Sequence, residues 1–140
     1  MAIRQLSVFV ENKKGSLHEI TDVLAKAGLD LRSMCVADTQ NFGIVRIITN
    51  DPDKAAKILT DEGHAANIRE VAAFAVPDVP GGLAKALNLL ETNGENIEYM
   101  YALVTSAEGK AYTVMRTDDT ARTEALLAAN GIEILDEAKL

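Results

Sequence analysis

Apolar and polar side chains alternate over residues 5–10, which is typical of a half-buried β-strand. Farther along, apolar side chains recur at helical spacing and predict one buried helix face, formed by Leu17, Ile20, Leu24 and Ala27. Ser16, with Glu19 three positions later, matches a capping box and predicts Ser16 as the N-cap of this helix, outside its first turn. Similar patterns predict strands over residues 31–38, 43–49 and 66–70 and a second helix that begins at Asp51-Pro52.

The same succession of elements recurs in the second half of the chain. Gly28 and Gly94 each end a helix-like stretch and lie 66 residues apart, while Gly63 and Gly131 do the same 68 residues apart. The second half is predicted to have strands over 71–76, 96–104, 110–116 and 132–136 and helices over 83–93 and 119–130. The chain is therefore predicted to contain two copies of one structural unit, residues 1–70 and residues 71–140.

Each half has the order β-α-β-β-α-β, which predicts a fold class and a topology. This order is that of the ferredoxin-like split βαβ arrangement, an α+β fold with an antiparallel sheet and both helices on one face. On the other sheet face of the second unit, Val71, Ala73 and Ala75 stand where a solvated face would carry polar side chains. We therefore expect this outer face to be buried.

Charge and composition exclude several classes of function. The formal net charge is −7 and no stretch of the chain is basic, which argues against nucleic acid and anionic membranes as partners. Cys35 is the single cysteine, so an intrachain disulfide is impossible. No apolar run approaches the ~20 residues that a membrane-spanning helix needs, and the first residues open directly into a strand pattern. The cytoplasm is the expected location.

No catalytic constellation is present in the sequence. His18 and His64 have no carboxylate or cysteine at metal-ligand spacing, and structural or surface roles are predicted for both. The serines lack the surroundings of a nucleophile elbow, and no glycine-rich phosphate-binding pattern occurs. We therefore expect a protein that is not an enzyme and that has no metal and no cofactor.

The loop between the first strand and the first helix is the best candidate for ligand chemistry in both units. It places Asn12 three residues before Gly15 in the first unit and Asp78 three residues before Gly81 in the second. The helix N-terminus offers N–H groups to a carboxylate, the Asn or Asp oxygen accepts from an ammonium group, and glycine permits close approach. The alternative is an ordinary Asx turn that leads into a helix cap. Repetition does not decide between them, because a duplicated fold would also copy a structural turn.

At these loops the sequence resembles the ACT domain family, whose small βαββαβ modules bind amino acids and regulate metabolic enzymes. The family's loop, an acidic or amide residue followed by Pro-Gly-x-Leu, is matched by Asp78-Val79-Pro80-Gly81-Gly82-Leu83, whereas the first unit has Lys14 in place of the proline. Residues 37–48 look like the signature of stand-alone tandem ACT proteins of bacteria. The resemblance covers the whole chain as two tandem units.

The resemblance implies ligand sites at ACT–ACT interfaces, where the loop of one unit faces the second strand of another. The ligand-binding residues that it implies are Asn12, Gly15, Ser16, Leu17, Asp78, Gly81, Gly82 and Leu83. Second-strand partners would come from residues 32–36 and 98–102. Tyr99 and Tyr101 share one face of their strand and either line an apolar pocket or are paired surface tyrosines. Because Gly82 replaces a Ser16-type cap, we expect the second unit to be the better carboxylate site.

The resemblance also implies a function and partners. The expected protein is a non-enzymatic sensor, a homodimer that binds an amino acid or a related small carboxylic acid and acts on a partner enzyme or regulator. The alternative is a protein–protein interaction module without a ligand, such as a regulatory subunit of an aryl-CoA ligase. Lys14 in place of proline supports this alternative for the first unit.

Overall fold

The computed structural model describes residues 2–38 and 40–140. Over these residues the chain forms seven strands and four helices. They are β1 (Ile3–Glu11), α1 (Ser16–Lys26), β2 (Leu31–Asp38), β3 (Phe42–Thr49), α2 (Pro52–Asp61), β4 (Ala66–Pro77), α3 (Gly82–Thr92), β5 (Ile97–Ala102), β6 (Lys110–Thr117), α4 (Thr120–Ala129) and β7 (Glu133–Ile134). A short 3₁₀ helix, Glu137–Lys139, follows β7.

Two compact units divide the chain. The first comprises Arg4–Arg69, and the second comprises Glu70–Leu140 together with Ala2 and Ile3. Strands of the first unit lie in the order β2-β3-β1-β4, and strands of the second in the order β5-β6-β4-β7. The predicted strands over 66–70 and 71–76 are one continuous strand, β4, which crosses the boundary between the units. The predicted α+β fold, with βαββαβ order in each half, is confirmed.

The core of the first unit lies between its sheet and its two helices. Alternate residues of β1 and β3 face the helices, with Leu6 opposite Ile47 and Val8 opposite Val45. The buried cluster consists of Leu6, Val8, Val10, Ile20, Leu24, Leu29, Val45, Ile47, Ala55 and Leu59. Burial of each of the larger aliphatic side chains contributes about 1.5–3 kcal/mol. The period-two and helical patterns in the sequence are the direct cause of this packing.

The second unit has a smaller core of the same design, and its outer sheet face is buried as well. The core cluster consists of Phe74, Val76, Ala86, Leu90, Met115 and Leu127. On the opposite face of β4, Val71, Ala73 and Ala75 are 0%, 1% and 7% exposed. The expectation that this outer face is buried is therefore confirmed.

The repeat predicted from the glycines is visible in the backbone, but the predicted capping box is wrong. Four glycines that follow helices have φ between 72° and 90°: Gly28, Gly63, Gly94 and Gly131. The N-cap of α1, however, is Gly15 at φ 88°, and no side chain caps this helix. Because this left-handed glycine starts the helix one residue earlier than predicted, Ser16 is already its first helical residue and is only 8% exposed.

Gly82 occupies the position in α3 that corresponds to Ser16 in α1. A Cβ atom at Gly82 would lie 2.1 Å from the backbone carbonyl oxygen of Pro77. A backbone oxygen cannot move aside as the end of a flexible side chain can. The first turn of α3 therefore lies directly against the end of β4, and only glycine fits between them.

We expect Gly82→Ala to lower the free energy of unfolding by about 1–3 kcal/mol, because overpacking forces the backbone to shift. Urea denaturation measures the change. The matched control is Ser16→Ala at the corresponding position of the first unit, where a Cβ atom is already present. Equal stability of Gly82→Ala and the wild type would contradict the close approach.

Candidate functional site

The two predicted ligand loops are held in place by equivalent backbone hydrogen bonds. The N–H of Asn12 donates to the carbonyl oxygen of Asn41, and the N–H of Asp78 donates to that of Gly109, both at 3.0 Å. Each loop is thereby fixed to the turn that connects the second and third strands of its unit. Among the described residues, the side chains of Asn12 and Asp78 form no hydrogen bond, so neither forms the alternative Asx turn.

In the first unit, the loop lies beside the second strand and forms a shallow cavity of about 100 Å³, here called the loop pocket. It is lined by Val10, Glu11, Asn12, Lys13, Ser16, Leu17, Val36 and Gly43. Three of the predicted site residues, Asn12, Ser16 and Leu17, are thus brought together with the second strand, whereas Gly15 is not in the lining. Leu17 and Val36 are 39% and 43% exposed. Because small-molecule sites usually measure about 300–1,000 Å³, a second surface would have to enclose an amino acid here.

In the second unit, the start of α3 opens onto a larger cavity of about 910 Å³, here called the lysine pocket. Of the predicted residues, Gly81 and Gly82 line it, whereas Asp78 and Leu83 do not. Its walls are largely apolar, and among the described residues that line it Lys85 carries the one charged side chain. The full lining is Val76, Pro77, Val79, Pro80, Gly81, Gly82, Lys85, Ala86, Asn88, Leu89, Thr92, Asn130, Gly131 and Ile132.

The first unit has a cavity at the matching place, of about 380 Å³ and here called the acidic pocket. Comparison of the repeats pairs Glu19 with Lys85 at an interval of 66 residues and His64 with Ile132 at an interval of 68. The two pockets therefore occupy equivalent places and carry opposite charges. The acidic pocket is lined by Phe9, Val10, Glu11, Lys13, Ser16, Glu19, Phe42, Glu62, Gly63, His64 and Ala65.

Sequence reasoning missed both of these cavities. Glu19 was assigned to a capping box that does not form, and Lys85 was not singled out. His64 was expected to be structural or to lie at the surface, and its side chain is in fact only 16% exposed, with Nε2 3.6 Å from Oε1 of Glu19. An alignment of the two halves at the observed interval would have revealed the exchange of Glu19 for Lys85.

Tyr99 and Tyr101 do share one face of β5, as predicted, because they lie opposite Arg116 and Val114 of β6. The neighbouring residue Met100 lies opposite Met115 and packs against the core under the helices. The two tyrosines therefore belong to the sheet face away from α3. They are not among the residues that line the lysine pocket.

The resolved pKa shifts belong to exposed ion pairs outside the three pockets. A hydrogen bond from Lys110 lowers the pKa of the Glu133 carboxyl, and Lys139 acts in the same direction. A hydrogen bond from Lys26 likewise lowers the pKa of Asp22. Both pairs support local structure on the surface rather than the chemistry of a pocket.

The described residues contain no cluster of three or more histidines, cysteines or carboxylates that could hold a metal ion. Within the same part of the chain, every helix is too short or too polar to cross a membrane.

Comparison with known proteins identifies the family. The family model of an ACT domain pair matches residues 1–140, and the chain belongs to this family. A solved protein from Bacteroides thetaiotaomicron is 41% identical, with a TM-score of 0.91 over 100% of this chain and 98% of that one. No curated protein matches the sequence.

Two more distant structures share the fold. The regulatory subunit of aspartate kinase from Thermus thermophilus, in a ligand-free form, has a TM-score of 0.67 at 14% identity over 91% of this chain and 92% of that one. The corresponding subunit from Thermus flavus has a TM-score of 0.65 at 18% identity over 90% and 88%. At these identities the likeness establishes the fold alone.

We expect Asn12→Ala and Asp78→Ala each to change the free energy of unfolding by less than about 0.5 kcal/mol, because these exposed side chains form no hydrogen bond. The positive control is Asp51→Ala, which removes the side chain that accepts from the N–H of Lys54 at the start of α2 and should cost about 1 kcal/mol. Urea denaturation compares the three variants. A loss at Asn12 or Asp78 as large as that at Asp51 would show a structural turn instead.

Proposed function

We propose that this ACT pair is a non-enzymatic regulatory protein that binds an amino acid or a related small carboxylic acid at ACT–ACT interfaces. The loop pocket carries the proposal. Its exposed Leu17 and Val36 and the free side chain of Asn12 lie where the family's ligand sites are expected. The shared fold with regulatory subunits of aspartate kinase supports a role in which ligand binding controls another chain. A ligand exerts such control by shifting an equilibrium between conformations.

The second unit is the better candidate for the carboxylate, for a reason that differs from the expected one. Both helices begin at a glycine N-cap without a side-chain hydrogen bond, so a vacant cap does not distinguish the units. The distinction lies in Lys85, which lines the second pocket where Glu19 lines the first. Lys85 and the start of α3 both attract an anion, and the apolar walls fit the rest of a small organic acid.

A thermal-shift screen of the twenty amino acids and several aryl acids tests this function. A ligand at 100 times its Kd adds about 2.7 kcal/mol of stability, and Tm should rise by several degrees. We expect Lys85→Met to reduce the rise, because it removes the cation that faces the carboxylate. The matched control, Lys14→Met, removes an exposed cation outside the pocket linings and should preserve the rise. If the rise in Tm were lost in both variants, it would depend on the net charge of the protein rather than on a particular lysine. That result would overturn the assignment to Lys85.

The exposed apolar side chains of the first unit favour a homodimer. Leu17, Met34 and Val36 are 39%, 39% and 43% exposed, and the two β2 residues among them lie on an edge strand. Exposed apolar side chains that cluster at an edge are typical of protein interfaces. In a homodimer, a second copy would provide the surface that the loop pocket lacks.

Sedimentation velocity tests the homodimer. We expect the wild-type chain to sediment as a dimer and Val36→Asp to shift it toward the monomer, because a charge would be buried at the contact. Val104→Asp is the control, since Val104 is 81% exposed in the other unit and lies outside the proposed contact. A monomeric wild type, or equal effects of the two substitutions, would contradict the proposed interface.

A ligand-free interaction module is the second candidate, and the same exposed apolar residues favour it. It would give no thermal shift with any compound of the panel. A stable complex with a metabolic enzyme such as an aryl-CoA ligase, weakened by Val36→Asp, would then replace the sensor proposal.

A further inference from the structure

We propose that two exposed aromatic side chains on the outer sheet face of the first unit, Phe9 and Phe42, form a docking surface for a segment of a partner protein in which an apolar side chain is flanked by lysine or arginine. These two residues are here called the phenylalanine patch. The inference rests on the proposed function in one respect, namely that this protein acts on another chain, and it requires no small-molecule ligand. Its support comes from the distribution of burial on this face, the charges around the patch and the contrast with the second unit.

The two rings lie close together on one face of the sheet. Phe9 of β1 lies opposite Ile44 of β3, and Phe42 lies opposite Glu11, two residues farther along β1. Val10, between Phe9 and Glu11, belongs to the core under the helices, so both phenylalanines occupy the opposite face. Both also line the acidic pocket, which places them at the same end of this face.

Burial along this face is the reverse of what a solvated sheet face shows. Gln5 and Ser7, on the outer face of β1, are 0% and 9% exposed, and Nε2 of Gln5 donates to Oγ of Ser7 at 3.0 Å. Phe9, the next residue of β1 on this face, is 51% exposed, and Phe42 is 56% exposed. The polar end of the face is therefore covered, while the aromatic end is open. Exposed apolar side chains that lie together are typical of interaction sites, and phenylalanine is enriched in the cores of protein interfaces.

The carboxylates around the patch indicate the charge of the partner. Glu11, Glu19 and Glu62 line the acidic pocket together with the phenylalanine patch. Among the described residues of this lining, Lys13 contributes the one lysine side chain, and its Nζ lies 3.1 Å from Oε2 of Glu11. Counted with a neutral histidine, the lining has two negative charges in excess. A partner segment with lysine or arginine beside its apolar side chain is therefore complementary in charge.

A second copy of this chain is a poorer occupant of the patch. In a symmetric dimer the same surface would meet itself, because such a contact is isologous. The carboxylates of Glu19 and Glu62 would then face the same carboxylates of the other copy, and like charges across an interface are unfavourable. Arg46 does not offset them, because it lies opposite Ser7 at the covered end of the face and does not line the pocket.

The second unit has no equivalent patch. At an interval of 66 residues, Phe9 corresponds to Ala75 and Phe42 corresponds to Glu108. Ala75 is buried, so this part of the second unit's outer face is covered. Lys85 in addition replaces one of the carboxylates that surround the patch. The exposed rings and their acidic surroundings are consequently features of the first unit's side chains and not of the backbone that both units share.

The chemistry of the patch fits both parts of the proposed segment. An apolar side chain of the partner would pack against the two rings, which offer a large contact area. Its lysine or arginine would reach the carboxylates, and the faces of aromatic rings also attract these cations. Such an arrangement, with aromatic anchors inside a charged rim, is typical of the residues that contribute most to binding.

The experiment is a selection from a random peptide library displayed on phage, with immobilised wild-type protein. We expect the enriched peptides to contain an apolar residue flanked by lysine or arginine. Peptides synthesised from the most enriched sequences are then titrated with the protein, and binding is followed by fluorescence anisotropy. Phe42→Ser and Glu62→Lys should each weaken binding by about tenfold or more, because one removes an aromatic anchor and the other reverses a charge. The matched control, Val104→Ser, removes an exposed apolar side chain of the second unit and should leave binding unchanged.

Several results would overturn the proposal. These are the absence of any enriched peptide, enrichment of acidic peptides, and undiminished binding in Phe42→Ser. A shift from dimer to monomer in sedimentation velocity of Phe42→Ser would also overturn it, because the patch would then belong to a contact between two copies. Phe9→Ser tests the same contact if Phe42→Ser fails to fold, and it should also weaken binding. Lys85→Met should bind the peptides as the wild type does, so failure of the carboxylate site and failure of the docking surface can be told apart.

Discussion

A left-handed glycine between the first strand and the first helix determines where each candidate pocket lies. Gly15 and Gly81 have nearly identical backbone angles, φ 88° and ψ −7° in one and φ 86° and ψ −7° in the other. An L-residue with a side chain would lose roughly 1–2 kcal/mol in this conformation. Because the two turns match, α1 and α3 begin at equivalent places. The residues one helical turn farther along, Glu19 and Lys85, then both face a cavity at the helix start.

Duplication has preserved this backbone while the side chains around it have diverged. The first unit has Ser16, Glu19 and His64 at positions where the second has Gly82, Lys85 and Ile132. Gly82 is required by the close approach of α3 to Pro77, and Ile132 packs against the core of the second unit, whereas Lys85 is not part of that core. Ligand chemistry is therefore set by a few side chains on a shared scaffold, as is general for widely used folds.

Much of the fold could be predicted from the sequence because its signals are local. Alternation in β1, the helical spacing that follows it and the glycines after helices each depend on nearby residues. The start of α1 was predicted wrongly because Ser16 and Glu19 match a capping box, while the left-handed turn at Gly15 had already moved Ser16 inside the helix. The capping-box pattern cannot show whether its first residue is the N-cap or already lies inside the helix.

The sequence pattern alone does not show which face of the sheet Tyr99 and Tyr101 occupy. Ile97 packs in the core, so simple alternation would put Tyr99 on the same face. The register of β5 against β6 shifts between these two residues, and one extra residue there moves Tyr99 to the other face. The first unit has the same shift between Leu31 and Ser33. As a result, Met34 and Val36 face the helix side, and Val36 lines the loop pocket.

The distribution of charge distinguishes between the classes of ligand that the pockets can hold. An amino acid needs a partner for its carboxylate and another for its ammonium group within one site. The lysine pocket offers a cation without a carboxylate in its lining, and the acidic pocket offers an excess of carboxylates. Neither lining therefore combines the two kinds of partner in the balanced proportion that an amino acid requires. A free amino acid would fit better at the loop pocket, where Asn12 can meet its ammonium group and a second surface would have to complete the enclosure.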